Sequence, residues 1–365
     1  MAKKIVKKIT RRKALAAGSL AAGTASAGMI LGSSCGKAPE TAKVENTDGP
    51  WTVLDRKPFW EPGPNKNLDR GDLTPGTTPI RLGGFLAQLL RRRNEIGIEG
   101  AILNLVENGY RGCHVDADVI HDLSDSELRE LNDALKKHDV VVYEVGGYQN
   151  MLDPNEETRQ ANLKVLATAL EAAEKVNCPM VGTCTGSRDP QYYIGVHPDN
   201  WTEETWQLTI DSVKQVLRDT SGLKAALGIE AQVTMNVDGP KSHRRLMDDV
   251  GDPRCAVNLD PVNMISLSNY YHTTELLHEC FDLLGETILG AHAKDTYIWP
   301  DVQTVHVQEV CSGRGVMDYE TYLVLLSRME WTRTLLPEHI PDDQYIEATQ
   351  YIRKVAAKMG VEILG

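Results

Sequence analysis

Four stretches of this chain share one design, and their spacing limits the folds it can adopt. Residues 224–232 (KAALGIEAQ) form a run of small and aliphatic residues that delivers one carboxylate, Glu230, near its end. Residues 255–263 (CAVNLDPVN) do the same with Asp260, residues 287–295 (TILGAHAKD) with His292, and residues 332–340 (TRTLLPEHI) with Glu338. Near-continuous apolar runs of this length mark buried parallel strands, because covering helices leave no solvated face for polar alternation. The four polar groups are 30, 32 and 46 residues apart, close to the room that one strand, loop and helix occupy in a repeating β/α array. Such an array brings its strand ends to one face. Two glutamates, an aspartate and a histidine then form an oxygen-rich, single-nitrogen donor set. That set suits one divalent ion, Mn²⁺ first, with Mg²⁺, Co²⁺ or Zn²⁺ as alternatives. Taken singly, each group would read as a surface charge just past a strand. Four in succession at strand carboxyl ends, where such barrels carry out chemistry, read as a site.

The rest of the chain completes the array. Residues 78–85 are expected as a first strand ending in Gly83-Gly84, followed by a helix through Leu105. Residues 111–118, 139–147 and 178–186 supply the second to fourth strands. Ser124 and Glu127 make a capping-box pattern that opens a helix to His138. Further helices are expected at 156–176, 202–218, 241–250, 273–284, 319–329 and 342–359. Eight strand-then-helix units make an α/β fold, a parallel eight-stranded (β/α)₈ TIM barrel spanning residues 78–365.

Strand parity places Gln232 beside Glu230 and Lys294 beside His292, with Asn263 on the loop after Asp260. Two and four residues back, Gly228 and Ala226, Asn258 and Ala256, Gly290 and Ile288 would face inward and leave room for a pocket. His339, next to Glu338, has outward parity. Of His114, Asp116 and Asp118 at the second strand's end, one at most faces the site. Glu144 in the third strand reads equally as a substrate contact or a paired structural charge. His306 and Arg314, on the loop after the seventh strand, are candidate substrate contacts.

The first forty residues have a different character. Eight lysines and arginines stand there against one acid, Glu40, so this segment is +7 and the remainder −19 of a net −12. So acidic a body repels nucleic acid and anionic membranes. Basic residues 3–8, the pair Arg11-Arg12 and a mild Ala/Gly/Leu run over 14–31 resemble a twin-arginine export signal covering residues 1–35, with Ala14 where a bulkier apolar residue is usual. The run is too glycine-rich and weakly apolar for a transmembrane span. Cleavage after Ala25-Ser26-Ala27 and lipidation of Cys35 are the two alternatives for its end, giving a periplasmic or a lipid-anchored protein. Residues 36–77 read as a Pro/Gly-rich lead-in that packs on the barrel through Trp51, Phe59 and Trp60. The seven cysteines have neither metal-type spacing nor disulfide density, and read as small buried hydrophobes.

With these residues assembled, the chain resembles the xylose isomerase-like TIM-barrel superfamily of sugar isomerases and epimerases, related to the endonuclease IV barrel. The pattern His292-x-Lys294-Asp295 and the loop 313–319 (GRGVMDY) are also similar to the family. The resemblance implies one divalent ion held by Glu230, Asp260, His292 and Glu338. It also implies an enediolate formed by proton transfer, with Glu230 and Glu338 as acid and base and Lys294 as an electrostatic partner. Asn263, Gln232, His306, Arg314 and Glu144 are then the candidate contacts to a small carbohydrate, and self-association is left open. The family's Asp-x-x-His after strand six is Asp260-Pro261-Val262-Asn263 here, and the arginine expected after strand seven is Ile298. Both differences argue against phosphorylated or simple free-ketose substrates. An isomerase or epimerase is the leading expectation, with a lyase that expels a glycosidic group by the same enolate chemistry as the alternative. A phosphodiesterase like endonuclease IV has too few ligand residues in its favour, and a sugar-binding protein would not need two carboxylates on a metal. Replacing Arg11 and Arg12 by lysine should hold the protein in the cytoplasm, read by cell fractionation, because the export receptor distinguishes guanidinium from ammonium.

Overall fold

A computed structural model describes residues 70–365 of the chain. The expected export signal, Cys35 and most of the lead-in lie outside these residues. Within them the apolar runs become short parallel strands: β1 (Ile80–Phe85), β2 (Gly112–Asp116), β3 (Val141–Gly146), β4 (Met180–Cys184), β5 (Ala226–Glu230), β6 (Cys255–Leu259) and β7 (Ile288–Ala293). Then β8 (Asp295–Ile298) and β9 (Val307–Val310) form an antiparallel hairpin in a sheet of their own. The chain returns with β10 (Thr334–Pro337), which pairs with both β7 and β1. Eight parallel strands are thereby closed into a barrel, and β11 (Ile363–Leu364) adds to β1. Helices follow the strands and wrap the outside, as expected for a (β/α)₈ TIM barrel. Among the described residues no helix is long and apolar enough to cross a membrane.

Local chemistry sets the element ends. The Ser124 hydroxyl accepts from the Glu127 N–H, and the Glu127 carboxylate accepts from the Ser124 N–H, so the expected capping box opens Asp125–Lys137. The single helix expected up to Leu105 is instead three pieces, Ala87–Arg91, Arg93–Ile96 and Ile98–Glu107. The break before the last falls at Gly97, whose φ of 73° belongs to the left-handed region. The strands are shorter than expected, which leaves Asp260 and Glu338 just past the ends of β6 and β10. The end of the lead-in is tied down by Arg70 to Glu320 at 3.1 Å and by the Gly76 N–H to Ser327 Oγ at 2.9 Å. The six cysteines among the described residues are free and buried.

The main apolar core lies between the strands and the helices, while a small separate cluster of Tyr143, Met180, Ala226, Ala256 and Leu336 fills the barrel interior. This corrects one expectation. Gly228 and Gly290 do not open a pocket: a Cβ on Gly228 would lie 2.5 Å from Met180 Sδ, and one on Gly290 2.6 Å from both Met180 Cε and Tyr143. The glycines make room for this plug, and the site sits above it. Leu289, not Ile288, packs on the interior cluster, so the parity assumed for the start of β7 fails there.

The helix Pro240–Val250 buries His243 on its core face, with 1% of the residue exposed and Nε2 lacking a partner. Burial lowers this imidazole from 6.5 to about 4. Between those values the unfolded chain binds a proton that the folded chain refuses, so stability falls as pH drops through that window, by roughly 3 kcal/mol at its lower end. Denaturant titrations from pH 7 to pH 4 should show this slope in the wild type and a flatter one in His243→Gln.

Candidate metal centre

Each cluster residue arrives on a different element. Glu230 is the last residue of β5, Asp260 follows β6, His292 lies inside β7, and Glu338 follows β10. One ligand atom from each of the four lies within 4.8 Å of the others, and all four residues are buried. His292 Nδ1 stands 3.0 Å from Glu338 Oε1, 3.3 Å from Glu230 Oε1 and 3.7 Å from Asp260 Oδ2. Its other nitrogen, Nε2, is 3.1 Å from Glu144 Oε2. Glu144 is fully buried, and despite that burial His114 and His292 hold its pKa below the usual carboxylate range. An ionised carboxylate only accepts, so we assign the proton shared with Glu144 to Nε2; a metal ion would take the Nδ1 side, which faces the three other carboxylates, in place of a second proton. Glu144, left open by sequence between two roles, thus pairs with the histidine that would ligate.

The donor set fits a divalent cation. His292 Nδ1 is buried with no hydrogen-bond partner among the three carboxylates that face it, and Asp260 Oδ2 is held by the Lys294 ammonium alone. Buried atoms of this kind are rarely left unpaired unless something else satisfies them. Three carboxylates around one imidazole nitrogen match hard to borderline cations.

The two glutamates sit in opposite surroundings. Glu338 Oε1 is 2.7 Å from Lys294 Nζ, and despite burial the positive charges of His292 and Lys294 hold its carboxyl well below the usual range. Glu230 is held by neutral donors. Oε1 accepts from Asn258 Nδ2 at 3.1 Å and from the Tyr148 hydroxyl, and Oε2 accepts from Asn263 Nδ2 at 3.2 Å. Burial, reinforced by Glu338 and Asp260 and opposed by His292, pushes Glu230 up to about 8. Asp260 turns Oδ1 to the N–H of Val262 at 3.1 Å and Oδ2 to Lys294 Nζ at 2.7 Å.

Lys294 is the internal counter-charge. Fully buried, it meets Asp260, Glu338, Glu309 at 3.2 Å, Asn263 Oδ1 at 3.2 Å and His339 Nδ1 at 3.1 Å. Burial disfavours its charge, but Asp260 and Glu338 raise its pKa well above normal. Asn263 bridges Glu230 and Lys294. The other candidates make no hydrogen bond to the cluster among the described residues. Gln232 is half-buried in the turn after β5, where its N–H donates to Val237 O. His306 is exposed at the hairpin turn, with its carbonyl accepting from the Trp299 N–H. Arg314 is committed to Glu347, Nε to Oε1 at 2.8 Å, which turns it toward the helix Tyr345–Met359. Of the three candidates in and just past β2, Asp116 and Asp118 pair with Arg91, and only His114 approaches Glu144, at 3.9 Å.

Sequence reasoning missed Tyr148, whose hydroxyl also lies 3.0 Å from Glu144 Oε1, and Glu309 on β9. It misplaced His339. The strand ends at Pro337, and the chain turns at His339 with φ 55°, so strand parity no longer applies and the ring faces Lys294 and Glu309. The alternating Thr296–Ile298 and Val307–Val310 segments around Pro300-Asp301 carried a hairpin signal that would have found Glu309. The GRGVMDY loop proves to be a nest for Asp295. Its carboxylate accepts from the N–H groups of Thr296, Gly313 and Met317, and a Cβ on Gly315 would lie 2.3 Å from Asp295 Oδ1.

The xylose isomerase-like TIM barrel family model matches residues 102–355. The chain belongs to this family. No curated protein matches the chain by sequence. Solved structures of similar fold include a xylose isomerase-like TIM barrel protein from Mycobacterium smegmatis in complex with magnesium, 15% identical, covering 78% of this chain and 98% of that one at a TM-score of 0.54. D-psicose 3-epimerase from Clostridium cellulolyticum H10 with D-tagatose is 13% identical over 77% of this chain and 100% of its own, with a TM-score of 0.54. The 3-keto-D-glucoside 4-epimerase of E. coli is 17% identical over 76% of this chain and 99% of its own, with a TM-score of 0.53. These likenesses establish the family's barrel.

Asp260→Ala and His292→Ala should each abolish tight Mn²⁺ binding in calorimetry. Glu144→Gln, which leaves every ligand in place but loosens the imidazole, should weaken it about 10- to 100-fold.

Proposed function

We propose that this protein is a divalent-metal-dependent isomerase or epimerase of sugars or keto-sugars that works by proton transfer through an enediolate. One observation carries the reading: Glu338 stands 2.7 Å from the Lys294 ammonium while Glu230, on the same centre, is held by the neutral donors Tyr148, Asn258 and Asn263. Pairs of carboxylates whose environments push their pKa values apart divide acid and base work between them. Glu338, beside Lys294 and His292, stays ionised and is suited to take a proton from carbon. Glu230, held by the neutral donors Tyr148, Asn258 and Asn263, is suited to return one. A divalent ion held by Glu230, Asp260, His292 and Glu338 would supply Lewis acidity toward a carbonyl and its neighbouring hydroxyl. Lys294 offsets negative charge that develops on the substrate oxygens, and Glu144 keeps the His292 ring in place.

A lyase that expels a glycosidic group β to the carbonyl is the second reading. Tyr148 favours it, because a phenol beside Glu230 can protonate a departing oxygen. The relatives described as epimerases support sugar chemistry on this barrel, and the absence of any arginine from the cluster around Lys294 supports a substrate without phosphate. We further propose that the enzyme is exported folded by the twin-arginine route, loading its ion beforehand.

Glu230→Gln and Glu338→Gln separate ligation from proton transfer, since an amide oxygen can still ligate. Each variant should retain Mn²⁺ yet lose carbon-bound proton exchange with D₂O by about 10²-fold or more on the keto-sugar that the wild type accepts. Wild-type exchange in both would make Lys294 the base instead.

A further inference from the structure

The β8–β9 hairpin carries Glu309 to the rim of the site. Its carboxylate, 38% exposed, spans two groups: Oε1 is 3.2 Å from the buried Lys294 Nζ and Oε2 is 3.2 Å from His339 Nδ1. Lys294 is the one ammonium that reaches the cluster, and Glu309 covers its outward side. The inner side is taken by Asp260 and Glu338, each at 2.7 Å. The guanidinium nearest in sequence, Arg314, is tied to Glu347, and position 298 is isoleucine. Three carboxylates, those of Asp260, Glu309 and Glu338, therefore meet one lysine. An incoming phosphate or carboxylate would find the Lys294 ammonium already engaged by carboxylates, whereas hydroxyl groups could exchange hydrogen bonds with Glu309 and His339.

We propose that Glu309 is a specificity-determining residue that makes the site select uncharged sugars over anionic ones by occupying the ammonium an anion would otherwise use. This deepens the proposed function and rests on it. The sign of the effect follows from the geometry. Removing the Glu309 charge uncovers Lys294, so an anionic sugar gains while a neutral sugar does not. A residue that only braced the hairpin would weaken both alike.

The test uses Mn²⁺-loaded protein and matched probes, methyl 3-keto-glucoside with methyl 3-keto-glucuronide and methyl glucoside with methyl glucuronide, with binding read by calorimetry. In the wild type each neutral sugar should bind at least tenfold more tightly than its acid. Glu309→Gln should shrink that ratio to about threefold or less, and Glu309→Asp should restore it. A wild type that binds the acids as well as the neutral sugars overturns the proposal, and so does a Glu309→Gln variant that weakens both members of a pair by the same factor. Absence of binding by every sugar, acid or neutral, overturns the reading of the site as carbohydrate-binding and this inference with it.

Discussion

Three buried carboxylates and an imidazole nitrogen share a space only 4.8 Å across, and much else in the molecule answers that constraint. Each pair of like charges at this distance costs roughly 3–4 kcal/mol at an effective dielectric of 20, before any penalty for leaving water. A cation at the centre converts the repulsion into attraction. Lys294 supplies one charge from the side, 2.7 Å from two of the carboxylates, and a divalent ion would supply the rest. The unpartnered His292 Nδ1 faces the space such an ion could take.

The barrel makes the arrangement affordable in conformational terms. Closure through β10 and β1 fixes the strand ends relative to one another, so the ligands need little further ordering when an ion arrives. The interior plug of Met180 and Tyr143 closes the floor beneath the cluster and keeps the chemistry at the mouth. Neighbouring groups then distinguish the ligands. Glu144 orients His292, neutral donors surround Glu230, and cations surround Glu338. The same backbone positions that gather the four side chains thus set two glutamates in unlike surroundings.

How much of this was legible in the sequence depended on periodicity. Glu230, Asp260, His292 and Glu338 could be read because apolar runs of regular length precede them, and Lys294 because it lies two residues beyond His292 on the same face. Where regular backbone stops, parity stops informing. His339 follows Glu338 in a left-handed turn, and parity sent its ring outward when it faces Lys294. Tyr148 comes from a loop whose path is set by tertiary packing and could not be assigned to the mouth from spacing, whereas Glu309 sits on a hairpin whose signal was in the sequence and was not read. Arg314 illustrates the opposite failure: a cation in a loop near the site found a carboxylate on a neighbouring helix. The glycines at 228 and 290 were readable as small and inward, but which side chains would fill the space was not.

The most direct measurement is anomalous diffraction from a crystal grown with Mn²⁺. One peak is expected per chain, about 2.0 to 2.3 Å from His292 Nδ1 and from one oxygen each of Glu230, Asp260 and Glu338, with Glu144 still on His292 Nε2. Ordered crystals in excess Mn²⁺ that show no peak among these four side chains, with Lys294 alone neutralising them, would contradict the metal centre.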